Sequence, residues 1–432
     1  MHHLRRRAFL RYLAVAAAGA YAGRALAAAS RPPQPVKVGV LLDFTGPLGE
    51  FGPHHRNAIE LAARQLNDAA REVLGGPIVQ MVYEDASTTP SIGVDRARKL
   101  VEVDRVPVLI GALATGVTVP VAESVTIPSG VLQITQSGSS PLLSVLPADR
   151  DKDLLFRTVA SDALQAVVAA QLAAGELVKG YHLGKAAVIY VNNPYGQGLA
   201  DVFARAFERR GGRVTASVAV PEEPRPTYTA ELRAALRGQP DVLVAATYPG
   251  QATVYLREAV DVFGFKRFQF TDGTKSLEIV KALGAELVEG QLGTTPASDP
   301  QWEGWRTFAA AYEKAYGAAP NLPYMDTAYD ATAVAGLAIA RCLMDGVPVT
   351  GVNVRDRLRL VSNPPGQKVG VGDFRRALEL IKSRQDVDYT GAAGEVDFDE
   401  SGDVITPVEI WRYSGGAIQT VMIRRPNEIP RQ

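Results

Sequence analysis

The 432-residue chain contains one cysteine, Cys342, so no intramolecular disulfide can form. This cysteine lies in the apolar run TAVAGLAIARCLM, and the run predicts a small buried hydrophobic residue there. A catalytic thiol needs a histidine partner, and none lies nearby in the sequence. The cysteine content therefore favours neither a disulfide-stabilised scaffold nor a thiol enzyme.

Histidine is equally scarce, because beyond the first 27 residues only His54, His55 and His182 remain. The sequence lacks the H-E-x-x-H, C-x-x-C, G-x-S-x-G and Walker A motifs. A hydrolase with Thr115 or Ser139 as its nucleophile would have no credible base. We therefore predict a protein that is not an enzyme and holds no cofactor and no metal. His54 and His55 are predicted to begin a solvated helix.

The chain also lacks a charge excess and a long apolar run. Lysine and arginine number 46 and aspartate and glutamate 46; without the five arginines of the first 27 residues, 41 basic residues face 46 acidic ones. This balance of charges does not indicate a basic surface that would bind nucleic acid. No segment after the N-terminus reaches the roughly 18 unbroken apolar residues of a membrane helix, so we predict no permanent membrane anchor.

Residues 1–27 have the pattern of a cleavable export signal. A basic start precedes an apolar stretch from Leu13 to Ala22, and Ala25-Leu26-Ala27 forms an A-x-A cleavage site. The segment RRAFLR resembles a twin-arginine signal, although Arg5 stands where Ser or Thr is more usual. A plain Sec signal rich in arginine is the alternative. Either signal predicts a periplasmic protein.

The remaining sequence alternates apolar strand patterns with helical patterns, in two successive series. This rhythm predicts an α/β fold with parallel, doubly wound sheets in two lobes. The predicted strands are Val36–Leu42, Pro77–Asp85, Val108–Ile110, Val131–Ile134, Lys185–Val191, Asp241–Thr247 and Phe268–Asp272. The proline- and glycine-containing stretch Val347–Lys368 is predicted to be a surface excursion.

Small polar and aromatic residues follow the ends of these strands. Ligands bind outside the carboxyl ends of open parallel sheets, so such residues should gather at one edge. Aromatic rings with a few hydrogen-bonding groups suit a small amphipathic ligand, whereas each residue taken alone could be an ordinary loop residue. YGQGLA lacks the third glycine of a dinucleotide loop and indicates a helix start facing a cleft. The residues are Phe51, Thr115, Ser137, Gly138, Ser139, Tyr195, Tyr248 and Asp272.

Eight segments in order resemble the periplasmic solute-binding proteins of the branched-chain amino-acid (leucine/isoleucine/valine) ABC-transport family. They are VGVLLDFTGPLGEFG, VYEDASTTPSIGVDRARKLV, VLIGALATGVTVPVA, ITQSGSSPLL, VNNPYGQGLADVF, TYPGQATVYLREAV, FTDG and GEVDFDESGDVITPVEIWRY. The resemblance implies the type I periplasmic binding protein fold, in which two Rossmann-like lobes joined by three hinge crossings close on a ligand.

The resemblance also implies a division of the chain. Residues 28–156 would form the first part of lobe 1 and residues 157–295 the main part of lobe 2. Residues 296–404 would return to lobe 1, and residues 405–432 would return to lobe 2. The implied protein is a monomer that carries a small-molecule solute to an ABC permease at the inner membrane.

Site roles follow from the same resemblance. Thr115 matches the hydroxyl that binds the ligand carboxylate, together with N–H groups of the helix start behind it. Asp272 matches the acid that pairs with the ligand ammonium. The loop Ser137–Ser139 would meet both groups, Ser137 through its main-chain carbonyl. Aromatic positions of the family match Phe51 in lobe 1 and Tyr195 and Tyr248 in lobe 2, while Tyr324 matches more loosely.

Two departures from the family pattern leave more than one class of ligand consistent with the sequence. The amino-acid binders commonly have Glu where this chain has Asp272, and the SGS loop offers no apolar residue for a leucine side chain. We expect a small amino acid or related zwitterion. An aromatic carboxylate, amide or urea-type solute is the alternative within the fold, and a ligand-sensing regulator is a further one that the export signal disfavours.

Overall fold

The computed structural model describes residues 34–430, and the predicted export signal lies outside this range. Within the described residues, no helix has both the length and the apolar character needed to cross a membrane. Two large sheets, each covered by helices, dominate the molecule. We call them, with their helices, the first lobe and the second lobe.

The first lobe is built on a five-stranded parallel sheet in the order β2-β1-β3-β4-β5. Helices cover both faces of the sheet, so its central strands are buried on both sides. Residues of β3 and β4 are buried throughout. The elements are β1 (Val36–Leu42), α1 (Gly52–Val73), β2 (Val79–Asp85), α2 (Pro90–Arg98), β3 (Val108–Gly111), α3 (Thr115–Val121), β4 (Leu132–Thr135) and β5 (Leu155–Arg157).

The second lobe is built on a seven-stranded sheet in the order β14-β13-β10-β9-β8-β6-β7. Five strands are parallel, and the last two, β13 and β14, add an antiparallel edge. The elements up to the second crossing are α4 (Asp162–Ala173), β6 (Lys185–Val191), α5 (Pro194–Glu208), β7 (Arg213–Val220), α6 (Thr229–Leu236), β8 (Val242–Ala246), α7 (Pro249–Asp261), β9 (Phe268–Phe270), α8 (Leu277–Leu283), α9 (Ala285–Val288) and β10 (Leu292–Pro296).

The chain then returns to the first lobe, where α11 packs against α1. Every residue of α11 from Met325 to Ala340 is buried, as its nearly uninterrupted small and apolar sequence predicts. The returning elements are α10 (Glu303–Tyr316), α11 (Met325–Asp345), α12 (Gly351–Ser362), β11 (Gln367–Gly370), α13 (Phe374–Lys382) and β12 (Val387–Thr390); β13 (Val408–Ser414) and β14 (Ala417–Arg424) complete the second sheet.

Three segments cross between the lobes, after β5, after β10 and before β13. Hydrogen bonds join them in pairs: the Arg157 N–H donates to the Gly402 carbonyl at 2.9 Å, and the Ala297 N–H donates to the Pro407 carbonyl at 2.9 Å. The buried Arg157 side chain also forms an ion pair with Asp403. The predicted fold class, with its three crossings, is confirmed.

Two local predictions are wrong. The stretch Val347–Lys368 is not merely a surface excursion, because it contains α12, whose Val354, Leu358 and Val361 are buried at helical spacing. Flanking prolines and glycines obscured this short pattern. His55 does not lie in a solvated helix start either: it is fully buried, and its Nε2 contacts the Pro323 carbonyl at 2.9 Å. The prediction for Cys342, which is buried, is confirmed.

Candidate ligand-binding site

A cavity of about 30 Å³ lies where loops of the two lobes meet. Seven of the residues singled out in the sequence line it, from both lobes and from the returning chain. The lining is Leu48, Phe51, Leu113, Ala114, Thr115, Ser137, Tyr195, Tyr248, Asp272, Gly273 and Tyr324. The strand-end pattern therefore brings most of its residues to one place.

Asp272 is the charged group of this cavity and is almost fully buried. It begins a short 3₁₀ turn two residues after β9 ends, and this turn aims its carboxyl back across the sheet edge. Oδ1 accepts hydrogen bonds from Gln165 Nε2 and from the Tyr195 hydroxyl, both at 2.8 Å. Oδ2 accepts one from the Tyr324 hydroxyl at 2.8 Å. Burial raises the pKa of Asp272, and these donors oppose the rise.

Two tyrosines form the second-lobe wall. Tyr195 and Tyr248 stack with centroids 5.5 Å apart and planes 12° apart. Tyr195 is placed by the start of α5, where the Asn193 side chain accepts a hydrogen bond from the Gly196 N–H and Pro194 opens the helix. Asn193 Nδ2 also donates to the Tyr248 hydroxyl at 3.1 Å. One capping residue therefore positions both rings.

The first-lobe side of the cavity offers a free hydroxyl. Thr115 begins α3 and is buried, and its Oγ1 has no hydrogen-bond partner among residues 34–430. A buried hydroxyl without a partner is costly, so this atom is poised to bond an incoming polar group. The Ser137 hydroxyl, by contrast, donates to the Leu113 carbonyl at 2.7 Å. Its side chain holds two loops together.

Gly138 and Ser139 are not part of the cavity lining. The Gly138 N–H donates to Thr135 Oγ1 at 2.8 Å, and the Ser139 hydroxyl donates to Asp162 Oδ2 at 2.9 Å. Both bonds turn the loop inwards. These two residues support the loop that carries Ser137.

Tyr324 closes the cavity from the returning chain. It precedes α11 with a φ of 66°, in the left-handed region that bulky side chains rarely adopt. The contact between His55 and the Pro323 carbonyl fixes the residue before it. The hydroxyl of Tyr324 consequently reaches Asp272, a contact that the loose sequence match did not define.

Sequence reasoning missed Asp162 and Gln165, both fully buried at the start of α4. Gln165 binds Asp272 directly. Burial, and then the neighbouring charge of Asp272, raise the pKa of Asp162 well above its usual range. Both residues follow the strand pattern LLFRTVA, so the strand-end signal was present but was not applied there.

The lobes touch across the cavity mouth. The Ser276 hydroxyl of the second lobe donates to the Glu50 carboxylate of the first, and the Ser140 hydroxyl donates to the Pro194 carbonyl at 2.7 Å. Gly116 lies so close to the second lobe that a Cβ there would stand 2.5 Å from Glu222 Oε1. This arrangement is a closed one.

One group of carboxylates could in principle hold a metal ion. Ligand atoms of Asp388, Glu395 and Asp397 lie within 4.8 Å of one another. Lys368 Nζ already pairs with Glu395 at 2.6 Å, and none of the three acids lines the cavity. The cavity lining itself holds a single carboxylate, that of Asp272.

A family model described as periplasmic binding protein matches residues 35–412. The chain belongs to the periplasmic binding protein family. The family consists of binding proteins, and the resemblance stated from the sequence is confirmed.

Individual relatives extend along most of the chain. A chemotactic signal transduction system substrate-binding protein, BasB from Halobacterium salinarum, is 28% identical over 399 residues, covering 90% of this chain and 89% of its own. The leucine-, isoleucine-, valine-, threonine-, and alanine-binding protein of Pseudomonas aeruginosa is 25% identical over 369 residues, covering 85% and 87%. The fold matches the crystal structure of the leucine-binding protein LivK from Thermotoga maritima with a TM-score of 0.72 at 23% identity, covering 91% of this periplasmic binding protein and 100% of LivK.

Proposed function

We propose that the chain is the substrate-binding component of an ABC transporter, exported to the periplasm, which captures a small amino acid or a related zwitterion and performs no chemistry on it. Closure of the lobes would trap the solute, and a permease at the inner membrane would receive it. The relative from Pseudomonas aeruginosa, named for the amino acids it binds, supports this proposal.

The observation that carries the proposal is the opposition of two groups across the cavity. Thr115 on the first lobe offers a hydroxyl with no partner in the described part of the chain, and Asp272 on the second lobe offers a buried carboxylate. A zwitterion would satisfy both, its carboxylate at Thr115 and its ammonium at Asp272. Because each end contacts a different lobe, the closed form gains a charge-assisted hydrogen bond that the open form lacks, worth about 1.5 to 3 kcal/mol.

The other residues of the site would surround the solute. Phe51, Tyr195 and Tyr248 would enclose its apolar part, and the loop of Ser137 would meet its polar head, with Gly138 and Ser139 as support. Tyr324 would orient Asp272. The cavity volume of about 30 Å³ is far below the roughly 300 to 1,000 Å³ of pockets for drug-sized molecules, which favours a solute of few heavy atoms.

We also infer where the lobes divide. The three crossings near residues 157, 296 and 405 would be the hinges, with residues 28–156 and 296–404 moving against residues 157–295 and 405–432. Hydrogen bonds that pair the crossings would let them bend together. Residues 1–27 would be removed as a signal, and the mature protein would act as a monomer.

Calorimetry with matched solutes tests the proposal. Alanine is compared with propionate and phenylalanine with 3-phenylpropionate, each pair differing in the amino group. Loss of the ammonium contact should weaken binding by about tenfold or more. Equal affinity within both pairs would reject the role of Asp272 and with it the zwitterion.

A second candidate is a receptor for an aromatic carboxylate, amide or urea-type solute. Two observations favour it: three donors already serve the Asp272 carboxylate, and the stacked tyrosines present a flat apolar face. Such a site would not need an ammonium group. With urea added to the solutes of the experiment above, 3-phenylpropionate or urea binding as tightly as any amino acid would select this function.

A further inference from the structure

A second cavity, of about 380 Å³, lies beside the hinge. Its walls come from the second and third crossings, from the loop before α11 and from strand β14. Its apolar lining includes Trp305, Leu322, Ile418 and Ile423. We call it the hinge-side cavity.

Two of the three charged side chains along the hinge-side cavity form an ion pair with each other, Lys275 with Glu409. The third, the Asp326 carboxylate, accepts a hydrogen bond from the Ser298 hydroxyl. An anionic guest would find the Lys275 ammonium already paired, whereas an apolar guest would leave both contacts intact. The lining therefore suits an uncharged, apolar group.

Tyr324 is the one residue shared by the linings of the ligand cavity and the hinge-side cavity. Its ring divides them, and its hydroxyl is held by Asp272 Oδ2 at 2.8 Å. A ligand ammonium at Asp272 would compete for this oxygen, because its full positive charge adds a Coulomb attraction that the neutral tyrosine hydroxyl lacks. Binding of an amine therefore weakens the hydrogen bond that holds the Tyr324 ring between the two cavities.

We propose that the hinge-side cavity is an extension subsite for the apolar tail of longer amino-bearing solutes, which is opened when the Tyr324 side chain turns away from Asp272. The ammonium would stay at Asp272, and the alkyl tail would pass the displaced ring towards Leu322 and Ile418. This inference rests on the proposed function, since it needs an amine at Asp272.

Calorimetry on the full-length mature protein with alanine and with 2-aminooctanoate tests it. Tyr324→Gly removes the partition and suits the left-handed backbone. Each methylene buried is worth about fourfold in affinity, so Tyr324→Gly should favour 2-aminooctanoate over alanine by about tenfold or more relative to wild type. Tyr324→Phe keeps the ring and should leave the ratio within about threefold of the wild-type value.

A second variant fills the subsite without touching the ligand cavity. Ile418 is partly exposed, and Ile418→Trp should weaken 2-aminooctanoate by about fivefold or more while alanine binding stays unchanged. An affinity ratio that neither Tyr324→Gly nor Ile418→Trp alters would overturn the subsite while leaving the proposed function in place. Failure of both solutes, and of every other amino acid, would overturn the two together.

Discussion

The two sides of the ligand cavity differ in whether their polar groups already have hydrogen-bond partners. On the second lobe, Asp272 already accepts two hydrogen bonds from its own lobe and a third from Tyr324 of the returning chain, and two stacked tyrosines are fixed by one asparagine. On the first lobe, Thr115 presents a buried hydroxyl that no group between residues 34 and 430 satisfies. The second-lobe side is therefore preorganised, whereas the first-lobe side is completed only when another group arrives.

This difference suggests an order of events. A carboxylate whose orientation is already fixed can bind a cation without moving itself, while an unsatisfied hydroxyl penalises the closed form until a ligand bonds it. The second lobe would thus supply most of the binding energy and the first lobe would make closure depend on the ligand. Single substitutions on either side of the cavity test this division.

The largest effect is expected when the negative charge of Asp272 is removed. Asp272→Asn keeps the shape but removes the carboxylate, so amino-acid binding should weaken by about 1.5 to 3 kcal/mol, or about 10- to 150-fold. Calorimetry measures this, with Asp261→Asn, an exposed acid of the same lobe, as the matched control. Unchanged affinity in Asp272→Asn would contradict the claim that the second lobe supplies most of the binding energy.

The first lobe contains a second buried acid, which accepts fewer hydrogen bonds than Asp272 does. Asp43 in the first lobe is fully buried, accepts a hydrogen bond from the Thr88 N–H at 2.9 Å, and has a second oxygen without a partner among the described residues. Burial raises its pKa from 3.8 to about 7. The folded state therefore keeps a proton that the unfolded state loses, and the stability contributed by this group falls as pH rises from about 4 to about 7.

Asp43→Asn removes this titration. The unfolding free energy of wild type relative to Asp43→Asn should accordingly fall by about 2 kcal/mol between pH 5 and pH 8. Urea denaturation at the two pH values measures it, and Asp261→Asn should show no such trend. A difference between wild type and Asp43→Asn that is the same at both pH values would contradict the assignment.

A smaller effect is expected at the unsatisfied hydroxyl. Thr115→Val removes one neutral hydrogen bond to the ligand carboxylate and should cost about 0.5 to 1.5 kcal/mol in binding, or about two- to tenfold. The unliganded variant should also be at least as stable as wild type, since a buried unsatisfied hydroxyl is gone. Thr115→Ser should restore binding. Lower stability of the Val variant without loss of affinity would show a purely structural role.

The smallest effect is expected at the contact between Glu50 and Ser276, which joins the lobes outside the cavity. Glu50→Gln should weaken the closed form and reduce affinity by about two- to threefold for every solute equally. Glu286→Gln, an exposed change on the second lobe, is the control. Selective loss of one solute would instead place Glu50 in ligand recognition.

Much of this arrangement was predictable because strand ends are visible in the sequence. The apolar runs that end two to four residues before Thr115, Ser137 and Asp272 had to end at sheet edges, and the parallel topology brought those edges together. Tyr195 and Tyr248 follow the same logic, since each stands within four residues of the end of its strand, at the start of the next helix.

What could not be predicted depends on side-chain direction and on long-range contacts. Ser139 turns to Asp162 instead of the cavity, and His55 is buried by a loop more than 260 residues away. Neither contact has a local sequence signature. The tether between Tyr324 and Asp272 likewise arises from a left-handed residue that no turn motif marks.

Closure of the lobes on a bridging solute is tested most directly by small-angle X-ray scattering of the mature protein with and without saturating ligand. Lobe closure should give wild type a smaller radius of gyration when ligand is added, and Asp272→Asn a clearly smaller change at equal occupancy, because one end of the bridge is missing. Superimposable wild-type profiles with and without bound ligand would contradict it.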